Sequence, residues 1–248
     1  TETAHLRRGD LDPDTLEIAL DDEQTLFSGG YLNPPAYAWA EDGSDLIIID
    51  TGERGTATFL FEESEAWDST TLGSEYWGSK DYYYGVHAEQ GADDAVVLGW
   101  WNGDEAASIL VVEADGSEQS SSFDADRLWD VKVAPDGGIF ALYEWGGSLI
   151  LGEWTEDGIA DLYEQDEANS NAQLEITDSY AFYITHTASD GALLTVAGDL
   201  KSGTTEELLT NNTYTSKYTR ISTAANEDSL YVCLYDYDAN WLLQYDVP

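Results

Sequence analysis

The sequence predicts an all-β fold built from repeated four-stranded antiparallel sheets, and two observations lead to this prediction. The first is the segment 128–165, in which four short runs alternate apolar with polar residues between turns rich in Gly, Pro and Asp. The runs are residues 129–133, 139–143, 149–151 and 159–163. One sheet of this size cannot bury both of its faces, so it needs similar sheets on either side.

The second observation is that the turn after the first run recurs along the chain. The turn at residues 134–137 has counterparts that contain Asp42, Gln90, Asp178 and Asn226. Consecutive anchors, including Asp136, lie 42 to 48 residues apart, which is the length of a four-stranded propeller blade. The repeat divides a single domain, 1–248, into five blades at residues 33–72, 80–123, 127–165, 172–210 and 217–248.

The segment 131–141 reads VKVAPDGGIFA, and shorter echoes of it surround Asp42 and Asn226. By this pattern the chain resembles the β-propeller superfamily, in particular proteins with WD-repeat-like and NHL-like blades. The resemblance covers nearly the whole chain and implies a single five-bladed β-propeller. The Trp-Asp dipeptide of a true WD repeat is missing from the ends of the third strands. Propellers include enzymes, adaptors and lectins, so the resemblance predicts a fold and no single activity.

The last repeat stops after its third strand, whereas the N-terminus offers an additional strand at residues 14–21. There Leu16, Ile18 and Leu20 alternate with less apolar neighbours. Pairing of this strand with the last blade would complete the blade, close the ring and remove two exposed sheet edges. The alternative is that the strand packs elsewhere. We expect ring closure.

The chain is strongly acidic, with 50 Asp and Glu against 9 Lys and Arg and a formal net charge of −41. Its 9 Trp, 16 Tyr and 6 Phe are too many for an acidic disordered segment. The lack of a basic patch excludes nucleic-acid binding through phosphate contacts. Salt screens the repulsion within such a surface, so we expect an origin in a high-salt environment.

The sequence contains no apolar run long enough to span a membrane, and residues 1–14 lack the apolar region of a signal peptide. Together with the acidic composition, this favours a virion-surface protein of a halophile virus or an extracellular protein of a high-salt environment. A protein of the halophile cytoplasm stays open as the alternative. The single cysteine, Cys233, lies in an apolar run and is expected in the core.

The resemblance implies that the loops after second and fourth strands gather on one face of the fold. In this chain those loops are rich in Trp, Tyr, Asn, Asp and Gly, which suits stacking on sugar rings or contact with a protein. The alternative is that the aromatic residues fill the gaps between neighbouring blades. The candidate ligand-binding residues are Trp77, Trp101, Asn102, Trp145, His186 and Tyr237.

The expected function is therefore non-catalytic recognition of a glycan or a protein surface. The expected partners include a larger assembly such as a virion. The alternative is a glycoside hydrolase or lyase with carboxylates at the channel mouth, although no catalytic motif is present. No cofactor is expected, with one exception. Asp236, Asp238 and Asn240 resemble the first half of a calcium loop and are candidate ligands of a structural Ca²⁺.

The acidic surface predicts that salt stabilises the fold. The melting temperature should be higher in about 1 M KCl than in about 20 mM KCl, because the Debye length falls to about 3 Å at the higher concentration. Two thermal melting curves measured by circular dichroism check the sign. Equal melting temperatures would contradict the inference of a high-salt origin.

Overall fold

The computed structural model describes the N-terminal third of the chain at the level of its strands and the remainder in more detail. The strands before residue 84 are described without their side chains. From residue 84 to residue 246 the description is continuous except at 92–94, 102–105, 114–116, 156, 167–168, 188–192, 212–219, 227–228 and 237–238. The chain forms two compact units, residues 1–37 with 42–81, and residues 38–41 with 82–248.

The first part of the chain contains two small antiparallel pairs and one larger sheet. Strand β1 (Thr3–Leu6) pairs with β4 (Gln24–Ser28), and β2 (Gly9–Leu11) pairs with β3 (Ile18–Leu20). Sheet I has the order β5-β6-β7-β8. Its strands are Ala36–Trp39, Leu46–Asp50, Ala57–Glu63 and Ala66–Leu72.

The additional N-terminal strand therefore has a partner of its own. The sequence suggested an unpaired strand at residues 14–21, but Ile18–Leu20 forms an antiparallel pair with Gly9–Leu11. The closure of the last blade by this strand stays a prediction.

The second unit contains four sheets in which strands that follow each other in the chain lie side by side. Sheet II contains β9 (Tyr84–Gln90), β10 (Val96–Trp101), β11 (Ala106–Val112) and β12 (Glu118–Asp124). Sheet III contains β13 (Arg127–Val133), β14 (Ile139–Trp145), β15 (Ser148–Thr155) and β16 (Gly158–Asp166).

Sheets IV and V follow the same pattern. Sheet IV contains β17 (Asn169–Ile176), β18 (Tyr180–Thr187), β19 (Leu193–Asp199) and β20 (Thr204–Asn211). Sheet V has three strands in the part of the chain that the structure describes, namely β21 (Arg220–Ala225), β22 (Ser229–Asp236) and β23 (Ala239–Asp246).

The predicted all-β architecture of four-stranded antiparallel sheets is confirmed. No helix occurs among the described residues, and none that could cross a membrane is found there. The five-blade division of a single domain stays a prediction. One expectation was wrong: Cys233 is exposed rather than buried. It lies on β22, where the buried neighbours Val232 and Leu234 face the opposite side of the sheet.

Turn chemistry determines where the strands of sheet III end. In the turn between β13 and β14, the amide of Gly137 donates to the carbonyl of Ala134 at 2.8 Å, and Asp136 Oδ1 accepts from the amide of Gly138 at 3.1 Å. The turn between β14 and β15 is Gly146-Gly147, with φ values of 62° and 90°. Two consecutive positive φ angles produce a tight two-residue hairpin, and glycine adopts them without steric cost.

The core consists of apolar layers between consecutive sheets. Val97 and Ile109 of sheet II pack with Val131 and Ala141 of sheet III. The next layer joins sheets III and IV, with Leu142 and Leu151 packed with Leu174 and Val196 as representative members. A third layer joins sheet IV to sheet V through Phe182, Ile184, Val232 and Leu234. Each of sheets II to V is thus held by packing against a neighbouring sheet and not by its own strands alone.

Glycine allows two of these sheets to approach closely at Gly198. A Cβ built at Gly198 of sheet IV would overlap the ring of Tyr163 of sheet III. The hydroxyl of Tyr163 donates to the carbonyl of Asp199 at 2.7 Å, which fixes the ring in this position.

We therefore expect Gly198→Ala to destabilise the fold by about 1 to 3 kcal/mol, because the buried Tyr163 ring must move to accommodate the methyl group. Urea unfolding measures the change in the free energy of unfolding. The matched control is the same substitution in a Tyr163→Ala background, where the overlap is absent and the cost should largely disappear. An equal cost in both backgrounds would contradict this explanation.

Candidate functional site

The structure describes the side chains of two candidate ligand-binding residues, Trp101 and Trp145. Trp101 is the last residue of β10 and is half-buried. Its indole N–H donates to the carbonyl of Ala125 at 3.1 Å, and its ring packs against the layer between sheets II and III. Trp101 therefore serves the packing between sheets, which was the alternative interpretation of these aromatic residues.

Trp145 has a different environment. It ends β14 and is 38% exposed, which places it among the few large apolar side chains that reach the surface in the described part of the chain. The hairpin that follows it is held by Asp126, whose Oδ2 accepts from the amide of Gly146 at 2.8 Å. The amide of Asp126 in turn donates to the carbonyl of Glu144 at 2.7 Å. The exposed indole is therefore presented on a well-anchored turn.

A second group near this end of sheet III was not predicted from the sequence. The guanidinium carbon of Arg127 lies 4.5 Å from the centroid of the Trp129 ring, and Glu144 lies directly opposite Arg127 in the strand register. Trp129 lies at an irregularity in the pairing of β13 with β14. A bulge of this kind changes the direction of the side chain at that position. Burial raises the pKa of Glu144, while the charge of Arg127 opposes the increase.

Several candidate residues lie outside the described part of the structure. They are Trp77, Asn102, Tyr237 and Asp238. His186 lies within β18 opposite Leu193, rather than in the predicted loop, and its side chain is not described.

The predicted Ca²⁺ ligands fall at the hairpin between β22 and β23. Asp236 ends β22 opposite Ala239, and Asn240 lies in β23 opposite Tyr235. The side chains of Asp236 and Asn240 are not described, so the Ca²⁺ site stays a prediction. Among the described residues, no group of three His, Cys, Asp or Glu side chains is arranged to hold a metal ion.

The first strands of sheets II to V lie side by side, β9 with β13, β13 with β17 and β17 with β21. They carry a chain of polar side chains that we call the inner row. It consists of His87, Glu89, Asp130, Lys132, Glu175 and Thr223.

The inner row contains two short hydrogen bonds. Lys132 Nζ donates to Glu89 Oε1 at 2.7 Å, which joins sheet III to sheet II. These two side chains are 26% and 28% exposed. The hydroxyl of Thr223 donates to Glu175 Oε1 at 2.7 Å, which joins sheet V to sheet IV.

Asp130 holds the centre of the inner row. Its side chain is 8% exposed, Oδ1 accepts from the amide of Val131 at 2.9 Å, and Oδ2 accepts from the amide of Leu174 at 3.0 Å. His87 Nδ1 lies 3.3 Å from Oδ1. Asp130 thus connects three sheets. Within the described part of the chain, His87 Nε2 is buried and has no hydrogen-bond partner, so in this arrangement it is not open to a substrate.

The inner row contains more negative than positive charges, because three carboxylates surround one ammonium group. Burial raises the pKa values of Glu89 and Glu175, and Lys132 opposes both increases. Burial by itself lowers the pKa of Lys132, but Asp130, Glu89 and Glu175 together raise it above its ordinary value. Lys132 therefore stays charged and holds the group together.

The sequence contains a signal that could have revealed the inner row. Glu89, Lys132 and Glu175 are each separated by 43 residues, which is one repeat length. A charged residue that recurs at the same register of consecutive repeats predicts contact between neighbouring sheets.

No family model matches the sequence, and no curated protein matches it. Solved structures do match the fold. The lectin SapL1, solved in complex with α-methyl fucoside, is 14% identical with a TM-score of 0.61, and the match covers 99% of this chain and 90% of the lectin. A streptogramin B lyase is 15% identical with a TM-score of 0.53, covering 87% of this chain and 69% of the lyase.

A protein from Lactobacillus plantarum is 14% identical with a TM-score of 0.57, covering 97% of this chain and 77% of that protein. At these identities the likeness concerns the fold alone. The structural neighbours are β-propeller-like proteins, and the four-stranded antiparallel sheets of this chain are consistent with propeller blades.

Removal of the Lys132 charge should destabilise the fold strongly. We expect Lys132→Met to cost about 2 to 4 kcal/mol, because Glu89, Asp130 and Glu175 would remain together with no ammonium among them. Urea unfolding at neutral pH measures the loss. Lys201→Met, at an exposed position, is the matched control and should change the free energy of unfolding by less than about 0.5 kcal/mol. Similar effects of the two substitutions would contradict the role of Lys132.

Proposed function

We propose that this protein is a non-catalytic recognition propeller that binds a glycan through the strand ends around Trp145. The observation that carries the proposal is the exposure of Trp145 on a turn held by Asp126. An exposed indole on a rigid turn loses little conformational entropy on binding, so its apolar surface is available to a ligand.

The polar groups at the same end of sheet III as Trp145 suit a sugar. Glu144 supplies carboxylate acceptors and Arg127 supplies guanidinium donors at the same end of sheet III, and both kinds of group bind ring hydroxyls. The formal net charge of −41 repels anionic ligands, which favours a neutral glycan. The lectin neighbour that was solved with a fucoside supports the choice of a glycan over a protein partner.

The setting of this recognition is proposed from composition. The acidic surface suits a protein that works in high salt outside a cell or on the surface of a virion, with its glycan partner on another particle or cell. A protein surface remains the second kind of partner that an exposed aromatic residue would fit.

A second candidate function is a lyase or a glycoside hydrolase, and the inner row favours it. Glu89, Asp130 and Glu175 bring three carboxylates to the first strands, and a streptogramin B lyase shares the fold. Against it, Glu89 and Asp130 already have hydrogen-bond partners, and His87 Nε2 is buried. Mass spectrometry of a glycan after incubation with the protein distinguishes the two functions, since a recognition protein returns it intact.

Trp145→Ala should weaken glycan binding by about thirtyfold or more and leave the melting temperature within a few degrees of the wild type. Truncation of an interface Trp costs about 2 kcal/mol or more of binding free energy, which is about thirtyfold in affinity. An array of neutral glycans identifies the ligand, and titration calorimetry with that glycan measures the affinity of the variant.

The matched control is Leu162→Ala, because Leu162 on β16 is also 38% exposed. It should leave the affinity unchanged. A Trp101→Ala variant should melt at a lower temperature, since Trp101 packs between sheets II and III. Equal affinities of the Trp145→Ala variant and the wild type would overturn the assignment of the site to Trp145.

A further inference from the structure

The inner row lies at the opposite end of the strands from Trp145, beside the turns that join first and second strands. Lys132 is one residue from the end of β13, and Trp145 lies at the far end of β14. The row therefore does not belong to the proposed glycan site, and its charges need an explanation of their own.

The three carboxylates of the inner row differ in their partners. Asp130 accepts two backbone N–H bonds and faces His87, and Glu89 binds Lys132 directly. Glu175 accepts a hydrogen bond from the uncharged Thr223. Within the inner row, Glu175 is thus the carboxylate whose hydrogen bond comes from a neutral side chain, and it lies within the fields of Asp130 and Lys132.

We propose that the inner row makes the packing of sheets II to V depend on pH. In mild acid Glu175 takes up a proton, and the packing of the first strands against one another becomes stronger. The charged and titratable groups that act on Glu175 are Glu89 from β9 and Asp130 and Lys132 from β13, and His87 of β9 lies against Asp130. From β21 the row contributes Thr223, which does not titrate in this range.

The physical reason is the charge balance. With all three carboxylates ionised, one ammonium group faces three negative charges in a site that is partly shielded from water. A proton on Glu175 removes one of the unbalanced charges and keeps the Lys132–Glu89 and Asp130–Leu174 bonds that join the sheets. Thr223 is then free to accept a hydrogen bond from the protonated carboxyl group.

The direction of the pH effect follows from linkage. Burial raises the pKa of Glu175 above its ordinary 4.5, so the folded state binds a proton at pH values where the unfolded state does not. The contribution of Glu175 to stability therefore improves as the pH falls through the raised value and becomes constant below about 4.5. At neutral pH the ionised carboxylate weakens the fold.

The test compares Glu175→Gln, which imitates the protonated side chain, with the wild type. The folding equilibrium constant of each is measured by urea unfolding between about pH 4.5 and pH 8. At pH 8 the variant should be more stable than the wild type, by about tenfold in this constant for each unit by which the pKa is raised. The advantage should vanish as the pH approaches about 4.5.

The matched control is Glu206→Gln on β20, which removes the same charge from an exposed position. It should differ from the wild type by less than about twofold at every pH. A second variant, Thr223→Val, removes the donor that favours the ionised carboxylate, so the pH at which stability changes should move upwards. Glu175→Gln and Glu206→Gln with the same pH dependence, or Glu175→Gln less stable than the wild type at pH 8, would overturn the proposal.

Discussion

The packing of sheets II to V against one another is the constraint on which the rest of the described structure depends. The second strands show it most clearly, because Val96–Trp100 and Ile139–Tyr143 are buried at every position rather than at alternate ones. A strand buried on both faces needs a sheet on each side of it. The proposed glycan site lies at strand ends, and the inner row joins the first strands of neighbouring sheets.

The sequence predicted the strands of sheet III well because local chemistry determines them. Asp136 and Gly137 form the first turn through their own hydrogen bonds and φ angles, and Gly146-Gly147 forms the second. The exposure of Cys233 and the half-burial of Trp101 could not be predicted in this way. Both depend on which face of a strand meets the next sheet, and an apolar run contains no alternation that would reveal it.

The inner row escaped prediction for a related reason. Its bonds connect residues 43 to 48 positions apart, on strands that meet only when the sheets stack. The role of Trp129 was equally hidden, since it depends on a pairing irregularity in β13 that no sequence pattern indicates. Trp145 is exposed, but its role in binding stays a prediction, and Arg127 and Glu144 emerged only from the strand register.

Hydrogen exchange tests the stacking of sheets II to V most directly. If the apolar layers between the sheets hold the second unit together, the amides of β10, β14 and β18 should all exchange through one cooperative opening. Their opening free energies should be equal and close to that of global unfolding. Exchange in which each sheet opens at its own, clearly different free energy would contradict the account, because the sheets would then be stable without their neighbours.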